Sequence, residues 1–267
     1  MSAVISHSPP PFPLAAAWSV LRAELDCWAA ERRAVTFWWR DDDAVSVTPA
    51  LEQLRDLARS AGVPVALAVI PAAAEPELAA FLEDWPEAAA IQHGWAHTNH
   101  AGPAEKKCEL GTARPADAVL GELAAGRRRM EALFGGRFLP VLTPPWNRIA
   151  PAVAERLAET GLRALSTFAP RRGAYGRLTQ VNTHVDPVDW RRGGGFAGDA
   201  AALAAAVAHL GARRIGTADP DEPTGLLTHH RTMDAATRDF VARFVAETAA
   251  HPAGRWLSPV AVFGAPA

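Results

Sequence analysis

Cysteine is scarce. The 267 residues hold two, Cys27 and Cys108, far apart and in no C-x-x-C spacing. That excludes a disulfide framework and a thiolate metal cluster, and it fits a reducing compartment. The first thirteen residues lack a basic stretch followed by an apolar core, and Pro9-Pro10-Pro11 interrupts them. No secretory signal is therefore expected, and the expected location is cytoplasmic. Long apolar runs are missing too. The Ala-rich stretch 200–208 falls well short of the roughly 20 residues a membrane helix needs and reads as an ordinary helix former. An excess of one charge is absent: the net charge is −2, which argues against nucleic acid or a membrane surface as partner. Finally, no G-x-G-x-x-G follows the first strand-like run and no G-x-x-x-x-G-K occurs, so neither a dinucleotide nor a P-loop site is expected.

What remains is ordinary globular composition, 49% hydrophobic and 21% charged, enough for a sizeable core. Apolar runs bounded by Gly and Pro alternate with helix-period segments along the whole length. Strands are expected at 35–40, 63–70, 89–92, 138–142, 164–168, 178–184 and 225–228, with a closing strand at 260–263. Helices are expected at 14–32, 46–59, 75–84, 115–134, 151–160, 197–210 and 234–249, and 98–113 reads as a long loop. The alternation predicts one α/β domain over residues 1–267 with a parallel sheet, residues 1–33 forming a helical extension ahead of it. A barrel-like closure and a doubly wound open sheet both satisfy this pattern.

Parallel α/β folds gather reactive groups at the C-terminal ends of their strands. The first strand here ends in Asp41-Asp42-Asp43, like charges that need a cation, a helix N-terminus or solvent to offset their repulsion. Later runs end in His93-Gly94-Trp95-Ala96-His97, in Thr143-Pro144-Pro145-Trp146-Asn147, in His184-Val185-Asp186-Pro187-Val188-Asp189-Trp190, and in His229-His230. His93 and His97 stand four apart, so a helical turn after the third strand would put both imidazoles on one face. With Asp42 or Asp43 they would form a two-histidine, one-carboxylate set that leaves coordination positions open. The same set serves iron-dependent oxidation as well as hydrolysis.

In their order, these motifs resemble the polysaccharide deacetylase (NodB-homology) superfamily. The counterparts of that family's motifs are Asp42-Asp43, His93 to His97, Thr143-Pro144-Pro145-Trp146, Asp189-Trp190 and Leu227-Thr228-His229-His230. The resemblance implies a distorted seven-stranded (β/α) barrel and a metal-dependent hydrolase removing an acyl group, N-acetyl foremost, from a carbohydrate or sugar conjugate. It implies Asp43, His93 and His97 as ligands of one divalent metal ion, with zinc the expected ion. It implies Asp42 as general base and His229 as general acid oriented by Asp189. Trp146, Trp190, Leu227 and Trp95 would line the substrate pocket. An Asp41-Asp42 register is the alternative assignment of the carboxylate pair. The chain departs from the family pattern at three places. Thr143 stands where an arginine is usual, leaving Arg40 or Arg148 to substitute; His230 replaces an aspartate; Gly94 replaces a serine or threonine. A catalytically silent carbohydrate-binding relative, or an amidase for a small molecule that is not a sugar, would carry the same motifs.

Overall fold

The computed structural model describes residues 14–171 and 178–264. Residues 1–13 of the expected N-terminal extension lie outside them. In chain order the elements are α1 (Leu14–Ala30), β1 (Val35–Ala44), α2 (Pro49–Ala61), β2 (Val65–Val69), α3 (Glu77–Glu83), β3 (Ala88–His93), α4 (Ala116–Phe134), β4 (Phe138–Thr143), α5 (Pro151–Ala154), β5 (Ala164–Leu165), β6 (Thr179–Gln180), β7 (Val188–Asp189), β8 (Gly195–Phe196), α6 (Asp199–Arg214), β9 (Thr224–Thr228), α7 (Ala235–Ala250), β10 (Gly254–Trp256) and α8 (Pro259–Phe263).

The main sheet is parallel throughout and runs β1-β2-β3-β4-β5-β6, with β9 on the other side of β1. Those seven strands form the wall of the (β/α) barrel. The wall closes where Val185 bridges to Leu226, with Leu227 N–H donating to the Val185 carbonyl at 2.8 Å. This seam needs Gly225. A Cβ there would stand 2.7 Å from the Asn182 carbonyl oxygen and 2.8 Å from Thr183 Cα. β10 extends the sheet beside the first residues of β1, Val35 to Phe37.

Side chains alternate across β1, and the two faces carry different layers. Trp38 points inward with Ala66, Ala68, Ile91, Val141 and Val181, a barrel interior kept narrow by alanines. Phe37 and Trp39 point outward into the larger core shared with the helices. There α1 packs on α6, burying Trp18, Leu21, Leu25 and Trp28, the face its heptad-like spacing foretells.

Several expected elements are corrected. Residues 260–263 form a helix, not a strand: Ser258 Oγ accepts from Ala261 N–H and Pro259 occupies the first turn, a start signal that outweighs the β-branched run. Its Val262 and Phe263 plug the base of the barrel, Phe263 lying edge-on to Trp38. The closing strand is instead Gly254–Trp256. The helix expected at 151–160 breaks into α5 and a 3-10 turn at Leu157–Thr160. The strands expected at 164–168 and 178–184 keep only two paired residues each, with single bridges beyond them. None of the described helices is long and apolar enough to cross a membrane.

Candidate active site

β1 runs on through all three aspartates, ending at Ala44, and gives each a different environment. Asp41 is fully buried and faces β9: it accepts from Thr228 Oγ1 at 2.6 Å, from His230 N–H at 3.0 Å and from His230 Nδ1 at 2.5 Å. Burial alone would lower the His230 pKa, but the Asp41 charge and hydrogen bond raise it above the usual histidine value. Asp42 is also buried and is held on both oxygens by Arg40, Nε at 2.9 Å and Nη2 at 3.1 Å. Asp43 sits at φ 72°, a left-handed conformation that turns its carboxylate into the barrel mouth.

There Asp43 Oδ1 lies 3.2 Å from His93 Nε2 and 3.4 Å from His97 Nε2. The two imidazoles are not brought together by a helical turn, as their spacing suggested. Gly94 at φ 59° and His97 at φ 56° fold residues 94–97 into an irregular turn. Its organiser is Glu109, buried in the loop that follows, which accepts from the backbone N–H groups of Trp95, Ala96 and Thr98. Gly94 leaves room for that carboxylate: a Cβ would stand 2.0 Å from Glu109 Oε2 and 2.6 Å from Pro145 Cδ. Positive φ recurs at Trp146 and Asn147, in the turn after the adjacent strand β4. Such conformations cost roughly 1–3 kcal/mol each, and their concentration around one cavity is a mark of a functional site.

Electrostatics set the ligand atoms. His93 Nδ1 lies 3.0 Å from the Thr143 carbonyl, which only a protonated Nδ1 can satisfy, so in the neutral ring the lone pair is on Nε2, the nitrogen that faces Asp43. Burial would raise the Asp43 pKa, but His93, His229 and His97 together hold it far below the carboxylate range. Burial and the neighbouring His93 lower His97; His93, also buried, is raised by the charges of Asp42 and Asp43. Asp43 Oδ1 is nevertheless a buried oxygen with no hydrogen-bond partner. An inaccessible carboxylate oxygen facing two imidazole nitrogens at these separations fits a divalent cation, whose tetrahedral ligands stand about 3.3 Å apart.

His229, at the end of β9, completes the floor, its Nε2 4.0 Å from Asp42 Oδ2. The Trp190 ring stands edge-on to it at 4.7 Å. Asp189 was the expected partner of His229, but its carboxylate instead caps the turn after β7, accepting from Arg191 N–H and lying 3.7 Å from Arg192. Besides Asp42, the cavity is lined by Asp186, which is near enough to feel the His229 charge and accepts from Trp190 Nε1 at 2.7 Å. Burial pushes its pKa up, partly offset by His229.

The metal-type residues, Asp42, His229, Trp146 and Trp190 all line one cavity of about 660 Å³, together with Asn147, Phe168 and Asp186. Trp146 lies against His97 at 4.4 Å. Two expected lining residues are elsewhere. Leu227 is buried in β9 in register with Arg40, and Trp95 is half-buried outside the cavity lining, its carbonyl accepting from Ala72 N–H. Arg40 reaches from β1 across the barrel: its guanidinium also donates to Ser166 Oγ at 2.8 Å and to Asn147 Oδ1 at 2.7 Å, past the end of β4 where Thr143 stands.

Among the described residues one further group has metal-type donors, His184, His209 and Glu222, all buried. The two rings are stacked, 3.4 Å between centroids and 12° between planes. An ion shared by both would lie well out of at least one ring plane, where no lone pair points, so this cluster reads as packing. Burial lowers both histidines, and the Arg213 charge adds to it; His209 is driven down to about 2.

No protein-family model matches the sequence, and a search of curated proteins finds no match. Solved structures do match the fold. A polysaccharide deacetylase structure from Mycobacterium smegmatis aligns with a TM-score of 0.57 at 17% identity, covering 85% of this chain and 87% of that one. The Bc1960 peptidoglycan N-acetylglucosamine deacetylase aligns at 0.54 and 14%, covering 90% and 96%. A family 4 carbohydrate esterase pseudoenzyme from Bacillus anthracis, BA3943, aligns at 0.51 and 12%, covering 80% of this chain and 60% of that one. The chain has the polysaccharide deacetylase fold, at 12% to 17% identity to these structures.

Proposed function

We propose that this protein is a divalent-metal-dependent hydrolase that removes an N-acyl group, N-acetyl foremost, from a sugar or sugar conjugate. The observation that carries the reading is the meeting, in one cavity, of Asp43 with two imidazole Nε2 atoms and of Asp42 with His229. Asp43, His93 and His97 would hold the ion, with zinc favoured by the two imidazoles and one carboxylate. When bound, such an ion makes water a competent nucleophile near neutral pH and offsets oxyanion charge.

The chain's own groups supply the rest. Asp42, aimed by the Arg40 fork, takes the proton of the attacking water. His229 donates a proton to the departing amine, its ring steadied by Trp190 with Asp186 nearby. Trp146 and Trp190 offer aromatic faces to the apolar surface of a sugar. Positive φ at Trp146 and Asn147 turns the backbone of that wall, and the Trp146 N–H serves as the oxyanion donor.

The test is acetate release from a panel of N-acetyl sugars by zinc-loaded protein. Asp42→Asn and His229→Ala are each expected to lower kcat by about 10²- to 10⁴-fold, the usual worth of a positioned acid or base. The pseudoenzyme among the structural neighbours motivates a second reading, a silent sugar-binding relative. Sugar binding without acetate release in the loaded wild type would select it.

A further inference from the structure

The floor of the cavity is acidic, but its rim is basic. Lys107, Arg148 and Arg191 all line it. No carboxylate among the described residues forms an ion pair with any of the three. Arg148 and Lys107 are fixed side by side, Arg148 Nη1 donating to the Lys107 carbonyl at 2.8 Å. Arg191 stands with Trp190 on the β7–β8 wall, where Asp189 holds its backbone N–H while pairing with Arg192 instead. Of the acidic groups beneath, only Asp42 is matched by a cation, Arg40; Asp43 faces the two imidazoles, and Asp186 accepts from Trp190 Nε1 and Val188 N–H. Three rim cations therefore stand over two remaining carboxylates, and a divalent ion held by Asp43 would add to that positive excess.

We infer that the substrate carries a phosphate group, and that Arg148 and Arg191, with Lys107, bind it at the cavity rim while the acyl group lies over Asp43. This rests on the deacylase reading and narrows its substrate from neutral polysaccharide to an N-acylated sugar phosphate or a sugar joined through a phosphodiester. Two guanidinium forks and an ammonium match the charge and the several acceptor oxygens of a phosphate, whereas a single carboxylate would leave cations unmatched. The cavity volume, about 660 Å³, leaves space for both parts of such a ligand.

Zinc-loaded protein is assayed on N-acetylglucosamine, its 1-phosphate and 6-phosphate, a nucleoside-diphosphate N-acetylglucosamine, and N-acetylmuramate as a carboxylate control. Binding of inorganic phosphate and of the 1-phosphate is measured in parallel by calorimetry, on wild type and on Arg148→Glu/Arg191→Glu. The expected result is a kcat/KM at least about tenfold higher for a phosphorylated sugar than for the neutral one, eroded as salt rises from about 0.05 to about 0.3 M. In the double variant that ratio falls to about one and phosphate binding weakens at least about tenfold. A ratio near one in the wild type, with phosphate binding unchanged by the variant, overturns the inference and leaves the deacylase reading standing. N-acetylmuramate matching the phosphorylated sugars overturns the phosphate assignment. If no substrate releases acetate but phosphate binding depends on the two arginines, the rim site stands and the deacylase reading falls.

Discussion

Replacing Arg40 by methionine isolates the buried ion pair that holds Asp42. Arg40 is fully buried and its guanidinium donates to Asp42, Ser166, Thr167 and Asn147. Methionine fills much of the volume but leaves Asp42, itself 2% exposed, as a buried charge without its counterion. Breaking a buried pair from one side costs about 3–5 kcal/mol. For a chain of this size that corresponds to a fall in Tm of roughly 6–20 °C. Asp42→Asn is milder, about 1–3 kcal/mol, because Ser166, Thr167 and Asn147 still serve Arg40. The double variant Arg40→Met/Asp42→Asn buries no unmatched charge, so the two effects should fall short of additive by about 2–3 kcal/mol. Urea unfolding of the four proteins at neutral pH measures this cycle. If Arg40→Met unfolds within about 1 kcal/mol of wild type, or the two changes simply add, Arg40 is not the counterion that this reasoning makes it.

Two further changes probe the supports of the site and of the core. Gly94→Ala should cost about 1 kcal/mol for its left-handed φ and several more for displacing Glu109 from three amides, whereas Gly62→Ala, at a similar φ but in open space, should cost only about 1 kcal/mol; equal losses in urea unfolding would remove Glu109 from the account. His209, held near pKa 2 by burial, is neutral in the folded chain and protonates near 6.5 when unfolded. Its contribution is fully present above about pH 6.5 and is lost as pH falls, by about 2–3 kcal/mol at pH 4.5. His209→Asn should flatten the acid limb of a stability-against-pH series, and an unchanged slope would contradict it.

Much of this molecule was legible beforehand because its determinants are local. Hydrophobic runs bounded by Gly and Pro located β1 to β4 and β9, and the residues at their ends named the carboxylates and histidines that meet in the cavity. Arg40 and Arg148 stand equal in the sequence as partners for the base, and only the geometry separates them: Arg40 holds Asp42, while Arg148 donates to the Lys107 carbonyl. The remaining features depend on geometry that spacing does not encode. Glu109 acts from an irregular loop, and nothing marks one acidic residue there over another. Asp186 and Asp189 are three residues apart beside the same tryptophan, and only the turn after β7 decides which lines the cavity with His229. α8 reads as a closing strand, and β10 goes unread, because a short β-branched run looks like strand until the Ser258-Pro259 cap is given its weight.

The central claim is that one cation is shared by Asp43, His93 and His97. Crystals of zinc-loaded protein, measured at the zinc absorption edge, test it directly. The expected result is an anomalous peak about 2.0–2.2 Å from Asp43 Oδ1, His93 Nε2 and His97 Nε2, lost in Asp43→Asn. A peak at His184, His209 and Glu222 alone, or zinc-free protein from saturating solution, would contradict it.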